Sequence, residues 1–257
     1  MIIPKLHGTF NHTGFTIFTA CDDAYFNEFG IVLVNSIRQN TSCNVHLHIF
    51  NPSADTLQWL IRNSVSYTYE LLLHSKLLPA TQFWKNPPLD DFNQSRLQRI
   101  HKSIEKGNDS GIHDRIIKTY YACTRFIRLA QIFTGGDVLA IDIDAIVRKH
   151  PSELPDTKDF YIHKNTQYLA GGIYLNENSI PFLQEYAAKL EDYITNDYLY
   201  WSLDQDVLDS IVPKYNFGEL PRSYIDWNMH PDSYVWTAKG KRKELDIFKN
   251  EKLKYIS

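Results

Sequence analysis

The segment Asp137-Val138-Leu139-Ala140-Ile141-Asp142-Ile143-Asp144-Ala145-Ile146-Val147 constrains this chain more than any other. Its apolar, β-branched run reads as a buried strand. Two carboxylates, Asp142 and Asp144, stand one residue apart where the run ends. In extended geometry, residues two apart share a face, so both acids are expected to leave the sheet in one direction. A carboxylate is costly to bury unpaired, and two side by side repel, so the pattern calls for positive charge. A hard divalent cation answers it: such ions are held by one or two carboxylates plus the phosphate oxygens of a substrate. The pattern points to metal-dependent chemistry on a phosphorylated substrate. Capping of a following turn is the ordinary alternative for so short an acidic motif.

The segments before it set the fold class. Phe15 to Ala20 reads as a first strand ending at Cys21-Asp22-Asp23. A helix follows, with Phe29, Val32, Leu33, Ser36 and Ile37 at helical spacing. Val45 to Phe50 is a second strand, Ser53 caps a second helix, and Ser66 to Leu73 is a third strand. This β-α-β-α-β order predicts an α/β fold, a Rossmann-like and mostly parallel central sheet with helices on both faces. Residues 83–115 break the rhythm with Asn86-Pro87-Pro88 and the polar run Gly107 to Gly111, and read as an insertion or flap holding a short charged helix near Ser95 to Lys106. Tyr120 to Phe133 is a helix with Phe126, Leu129, Ala130 and Phe133 inward, and Arg125 and Arg128 elsewhere on its surface.

Beyond the acidic strand, Phe160 to His163 and Leu169 to Asn176 read as strands, the second with Gly171 and Gly172 where a backbone or ligand can approach closely. Ser179 caps a helix bearing Leu183, Tyr186, Leu190 and Ile194, and Asp204-Gln205-Asp206 opens another that runs to Ile211. The segment 235–257 is rich in lysine and reads either as a phosphate-binding loop around Gly240 or as a solvated tail. Length, at 257 residues, fits a single domain, 1–257. A net charge of −3 gives no electrostatic case for nucleic-acid binding. Three cysteines without metal spacing suggest a reducing compartment. No apolar run approaches the ~20 residues of a bilayer span, and no signal-peptide core precedes Phe10, so a cytoplasmic protein without its own anchor is expected.

The pieces TACDDAYF, TRFIRLAQIF, VLAIDIDAIV, AGGIYLN, LDQDVL and WTAKGKRK occur in this order over roughly residues 15–243. The series resembles the A-type glycosyltransferases, especially the glycogenin and lipopolysaccharide-galactosyltransferase-like family. The resemblance implies a nucleotide-diphospho-sugar donor (a UDP-sugar above all), a saccharide or other hydroxyl acceptor, a bound Mn2+ or Mg2+, and hexose transfer with retained configuration. It implies that Ala20, Asp22, Asp23 and Tyr25 meet the nucleoside, that Arg125 binds donor, and that Asp142, Ile143 and Asp144 form the metal and diphosphate site. It assigns Gly171 and Gly172 to the sugar, Asp204 and Gln205 to the reacting centre, and Lys239, Gly240 and Lys243 to the phosphates. Each has an ordinary reading as well: Asp22 or Asp23 as a helix cap, Arg125 as a surface residue, Asp204 and Gln205 as an acidic first helical turn.

Two departures stand out. The family's closing motif carries a metal-binding histidine where this chain has Thr237, and its Asn-x-Gly motif begins here with Ala170. His230 is the nearby candidate to replace the histidine, with a simple turn role as its alternative. Rival readings are a haloacid-dehalogenase-type phosphatase, a sugar nucleotidylyltransferase, and a non-catalytic nucleotide-sugar-binding module. The first places its Asp-x-Asp on strand one, and the second needs a glycine-rich loop after that strand.

Overall fold

The computed structural model describes residues 1–10, 14–80, 109–164 and 167–256. An eight-stranded sheet forms its centre, in the order β1-β4-β3-β2-β5-β8-β7-β9. The parallel part comprises β2 (Thr16–Asp22), β3 (Asn44–Phe50), β4 (Ser66–Glu70) and β5 (Val138–Ile141). Strands of this kind are covered on both faces, which is why Ile17 and Phe18, neighbours in β2, enter opposite hydrophobic clusters. At the other side of β5 the direction reverses: β8 (Tyr168–Leu175) pairs antiparallel with β5 and with β7 (Phe160–Lys164), and β9 (Phe217–Glu219) runs parallel to β7. β1 (His7–Gly8) closes the far edge antiparallel to β4.

Helices α1 (Asp23–Tyr25), α2 (Ile31–Asn40) and α3 (Ala54–Arg62) connect the first strands. Ser53 caps α3 as expected, its Oγ accepting from Thr56 N at 3.2 Å. α4 (Asp109–Ile132), α5 (Ile180–Thr195) and α6 (Leu203–Ile211) pack together on one face, burying Phe126, Tyr186 and Leu208. The other face is covered by α2 and the C-terminal segment.

Several sequence expectations need correction. The run Asp137 to Val147 is not one strand. After β5 the chain bends through Asp142–Asp144 and continues as β6 (Ala145–Val147), which leaves the central sheet and pairs antiparallel with β10 (Val235–Thr237) in a separate two-stranded sheet. The third strand stops at Glu70. The helix expected from Tyr120 begins at Asp109, so 109–115 is helical rather than flap, while 83–108 and the charged helix expected there lie outside the described residues. Asn176 rather than Ser179 supplies the cap before α5: the Asn176 Oδ1 accepts from Asn178 N at 2.9 Å, and Ser179 Oγ accepts from Asn176 N at 2.8 Å. The lysine-rich segment is no solvated tail. It folds through β10, the turn Gly240–Glu244 and α7 (Asp246–Leu253), burying Phe248 and Tyr255. Asn35 and Asn40 of α2 donate to Tyr255 O and Tyr255 Oη, both at 2.9 Å.

Arg125 and Arg128 were expected on the surface of their helix. Both are buried, at 8% and 2% exposure. Arg128 meets Glu70 at the end of β4, Nε to Oε2 at 2.6 Å, and Tyr120 donates to Glu70 Oε1 at 2.6 Å. These contacts fix α4 against the parallel strands and set the position of Arg125 one turn earlier.

Candidate active site

Ligands in open α/β sheets bind beyond the carboxyl ends of the strands, and a cleft of about 420 Å3 opens there beyond β2 and β5. The end of β2 contributes Ala20 and Asp22, with Tyr25 just after it. The bend after β5 contributes Asp142, Ile143 and Asp144. Arg125 comes from α4, Gly171 from β8, Asp204 and Gln205 from α6, and Lys239 and Gly240 from the segment after β10. The pairing of β10 with β6 is what delivers that last segment: Thr237 lies opposite Ala145, and Ala238 N donates to Asp144 O at 3.0 Å.

The carboxylates are distinct in their surroundings. Arg125 Nη1 donates to Asp142 Oδ1 at 2.6 Å, its Nη2 donates to Ala170 O at 2.8 Å, and the same Nη2 lies 3.9 Å from Asp204 Oδ2. One buried guanidinium thus bridges two acids from different elements. Burial raises the Asp142 carboxyl, but Arg125, with Lys239 behind it, outweighs burial and holds it below its ordinary value. Asp144 goes the other way: burial and the charge of Asp142 raise it, although Lys243 Nζ sits 2.9 Å from its Oδ2. Functional sites and structural ion-pair networks alike drive acids apart in this way; here the pair faces an open cleft.

Three candidates do not line the cleft. Asp23 points away: its Oδ1 accepts from Ser53 N at 2.7 Å, tying α1 to the start of α3. Gly172 serves packing, since a Cβ there would stand 2.6 Å from Ile225 Cγ1. Lys243 reaches the site through Asp144 and lies over the rings of Tyr25 and Phe29, each 4.6 Å from its Nζ. Asp22 does both jobs foreseen for this turn, facing the cleft while its Oδ1 caps α1 by accepting from Tyr25 N at 2.8 Å. Gly171 has a steric role: a Cβ would fall 2.7 Å from Asp142 Oδ2.

Gln205 is held by its amide. With Nε2 turned to donate to Tyr168 O at 2.6 Å and Oε1 accepting from Ala170 N at 3.0 Å, it clamps α6 to β8. In that orientation the amide braces α6 against β8, while the residue still lines the cleft beside Asp204. His230 does not line the cleft either; its Nδ1 lies 3.0 Å from Asp226 Oδ2 in a turn. Thr237 Oγ1 is buried and has no hydrogen-bond partner among the described residues. Among those residues no group of three or more His, Cys, Asp or Glu side chains is arranged to hold a metal ion.

Other lining residues escaped the sequence reading. Lys118, Tyr121 and Ala122 precede Arg125 by seven, four and three residues on α4, so helical spacing from Arg125 was the signal that could have found them. Trp201, 49% exposed, and Ser202 stand at the mouth. Ser202 has φ +73°, a left-handed conformation at the start of α6. A side chain there costs about 1 kcal/mol relative to glycine. Ser202→Gly is expected to raise Tm by about 2–4 °C, measured by circular dichroism; an unchanged or lower Tm would show that no strain is stored in the turn.

The sequence matches no protein-family model and no curated protein. Solved structures share its architecture. LgtC, a galactosyltransferase crystallised with donor and acceptor sugar analogues, superposes with a TM-score of 0.54 at 12% identity, over 94% of this chain and 96% of its own. The bifunctional glycosyltransferase WbbM gives 0.59 at 13% identity, over 98% of this chain and 51% of its own. GlyE of Streptococcus pneumoniae TIGR4 gives 0.55 at 11% identity, over 94% and 61%. The chain thus spans about half of WbbM and less than two thirds of GlyE. The haloacid-dehalogenase alternative loses its structural basis, because Asp142 and Asp144 follow β5, the fifth strand of the central sheet in chain order, rather than its first. Strand order, site position and these superpositions agree that the chain has the fold of the A-type glycosyltransferases.

Proposed function

We propose that this protein is a hexosyltransferase that moves a sugar from a nucleotide-diphospho-sugar, a UDP-sugar in the first instance, to a hydroxyl of a saccharide or similar acceptor, using Mn2+ or Mg2+ and retaining anomeric configuration. The observation that carries the reading is one cleft at the carboxyl ends of β2 and β5 that unites Asp142 and Asp144 with Arg125, Tyr25 and Lys239. The all-oxygen donor set suits a hard cation, and two carboxylates suffice where phosphate oxygens and water complete the shell. Asp142 and Asp144 would hold the ion, with Thr237 supplying no nitrogen where the resembling family has histidine. When bound, it would neutralise the charge that grows on the diphosphate as the sugar–phosphate bond breaks.

The protein's own groups divide the remaining work. Lys239 and Lys243 would take up phosphate charge, which requires Lys243 to leave Asp144 as donor enters. Arg125 holds Asp142 and Asp204 in register, so that the acid of α6 stays beside the acid of β5. Tyr25 offers a ring at the cleft wall for the nucleoside. A binding module without turnover is the second reading, favoured by the Gln205 amide being spent on β8; hydrolysis of donor in the presence of metal separates the two.

A thermal-shift screen of UDP-hexoses with and without Mn2+ tests the proposal, because a ligand that binds the native state raises Tm by mass action. Metal and donor should each strengthen the other's binding by the same factor, so the shift should be larger with both than the sum of the separate shifts. No shift with any nucleotide-sugar would sink the reading. Gly171→Ala is expected to push the Asp142 carboxylate aside and lower turnover about 10²-fold, with a fall in Tm to the extent that the contact with Arg125 is lost as well. Unaltered donor hydrolysis in that variant would remove Asp142 from the reacting centre.

A further inference from the structure

A second cavity, about 330 Å3, adjoins the donor cleft, and Lys239 lines both. Its walls include Arg222, Arg242, Trp227 and His163. Resting on the donor reading above, we propose that this cavity is the acceptor subsite and that it selects a saccharide carrying a negative charge, a carboxylate or a phosphate.

Charge is the first argument. Among the described residues, neither Arg222 nor Arg242 is paired with a carboxylate, and both are exposed. The acid within the cavity wall, Asp226, is already saturated. Its Oδ1 accepts from Asn228 N at 2.8 Å, and its Oδ2 accepts from His230 N at 2.6 Å and Ser233 Oγ at 2.7 Å and lies 3.0 Å from His230 Nδ1. Glu219 remains near His163 but is exposed at the end of β9. The cavity wall therefore carries two arginines without an ion-pair partner among the described residues, plus Lys239, against the single carboxylate of Asp226; a guanidinium's planar donors suit carboxylate or phosphate oxygens.

A second, independent observation is a buried polar atom. His163 is buried, lines the cavity, and its Nδ1 has no hydrogen-bond partner among the described residues. Buried nitrogen is ordinarily satisfied by protein, water or ligand; the Leu220 backbone lies close to this ring, and a sugar hydroxyl that displaces the ring slightly toward the cavity answers the remaining need. Trp227 stands beside it, ring centroids 4.8 Å apart, half-buried and able to carry a sugar face. The groups thus divide between the parts of one ligand: Trp227 and His163 for a ring with its hydroxyls, the arginines for an anion. The shared Lys239 places that ligand against the donor cleft.

The test uses the intact protein with Mn2+ and UDP, and ligand-observed NMR titration of glucose, glucuronate and glucose 6-phosphate. The charged sugars are expected to bind about tenfold more tightly than glucose, a preference of the size that a charge-assisted contact supplies. The tighter of the two charged sugars tells whether carboxylate or phosphate is preferred. In the Arg222→Gln/Arg242→Gln variant that preference should vanish while UDP affinity stays within about twofold. Equal binding of charged and neutral sugars, no binding of either charged sugar, or a preference that survives in the variant would overturn the proposal. Arginine-dependent binding of charged sugars by a protein that fails to bind UDP would overturn the acceptor assignment and the donor reading together, whereas UDP binding without charge preference overturns this proposal alone.

Discussion

Asp144→Asn is expected to lower donor turnover by about 10²–10³-fold, the scale seen when one electrostatic contact to a developing charge is lost, while leaving the fold nearly untouched. The reason for choosing Asp144 over Asp142 is tertiary. Asp144 pairs with Lys243, which is half-buried and keeps the faces of Tyr25 and Phe29 as alternative partners; loss of such a pair is expected to cost less than stranding a fully buried charge. Asp142 pairs with Arg125, which is buried and, among the described residues, would keep Asp204, at 3.9 Å, as its ion-pair partner. Asp142→Asn should therefore lose activity and stability together. Donor hydrolysis with Mn2+, with chelator, and in each variant, alongside melting curves, resolves the two effects. Full activity of Asp144→Asn, or of the unmodified protein in chelator, would exclude the metal-carboxylate role.

The second large effect lies away from the cleft. Glu70→Gln is expected to cost about 3–5 kcal/mol, as when one partner of a buried ion pair is removed. Glu70 is fully buried, and around it stand Arg128, Tyr120 and His48, the last with its Nε2 3.6 Å from Oε2. Burial lowers the His48 imidazole's affinity for protons, so Arg128 is the charged partner that the substitution would strand. Burial alone would raise the Glu70 carboxyl; the contacts to His48, Arg128 and Tyr120 outweigh it and hold the group below its ordinary value of 4.5. A depressed carboxylate adds stability in full above that value and loses it as pH falls through the lower folded-state value. The gap in urea-unfolding free energy between wild type and Glu70→Gln should thus be widest near neutrality and close below pH 4.5. A gap that does not change with pH would mean that packing, not charge, is what Glu70 contributes. Since α4 carries Arg125 as well as Arg128, the variant should also loosen the cleft.

The architecture was largely written in local pattern. Apolar runs such as Ile17 to Ala20 and Val45 to Phe50, separated by helical periodicity, dictate parallel strands buried on both faces, because a hydrophobic strand between helices has no other place to go. Two carboxylates next to such a run mark the ligand end of the sheet before any coordinates are known. Asp142 and Asp144 were named on that basis, Asp22 from its place at the end of the first strand, and Tyr25, Asp204 and Gly240 through the family resemblance; one cleft holds them all. What the sequence could not decide is which polar side chains turn inward. Helical spacing shows that Arg125 and Arg128 lie off the main apolar stripe of α4, but not that acids from β4, β5 and α6 wait there; their burial depends on partners 17 to 79 positions away. The break of the acidic strand at Asp142 is of the same kind, because β6 is claimed by β10, some 90 residues later. Local residues determined the strands, the helices and the ligand end of the sheet. Long-range pairing alone decided that Arg125 would bridge Asp142 and Asp204 while Lys243 meets Asp144, and that a lysine-rich segment readable as a tail would form a wall of the site.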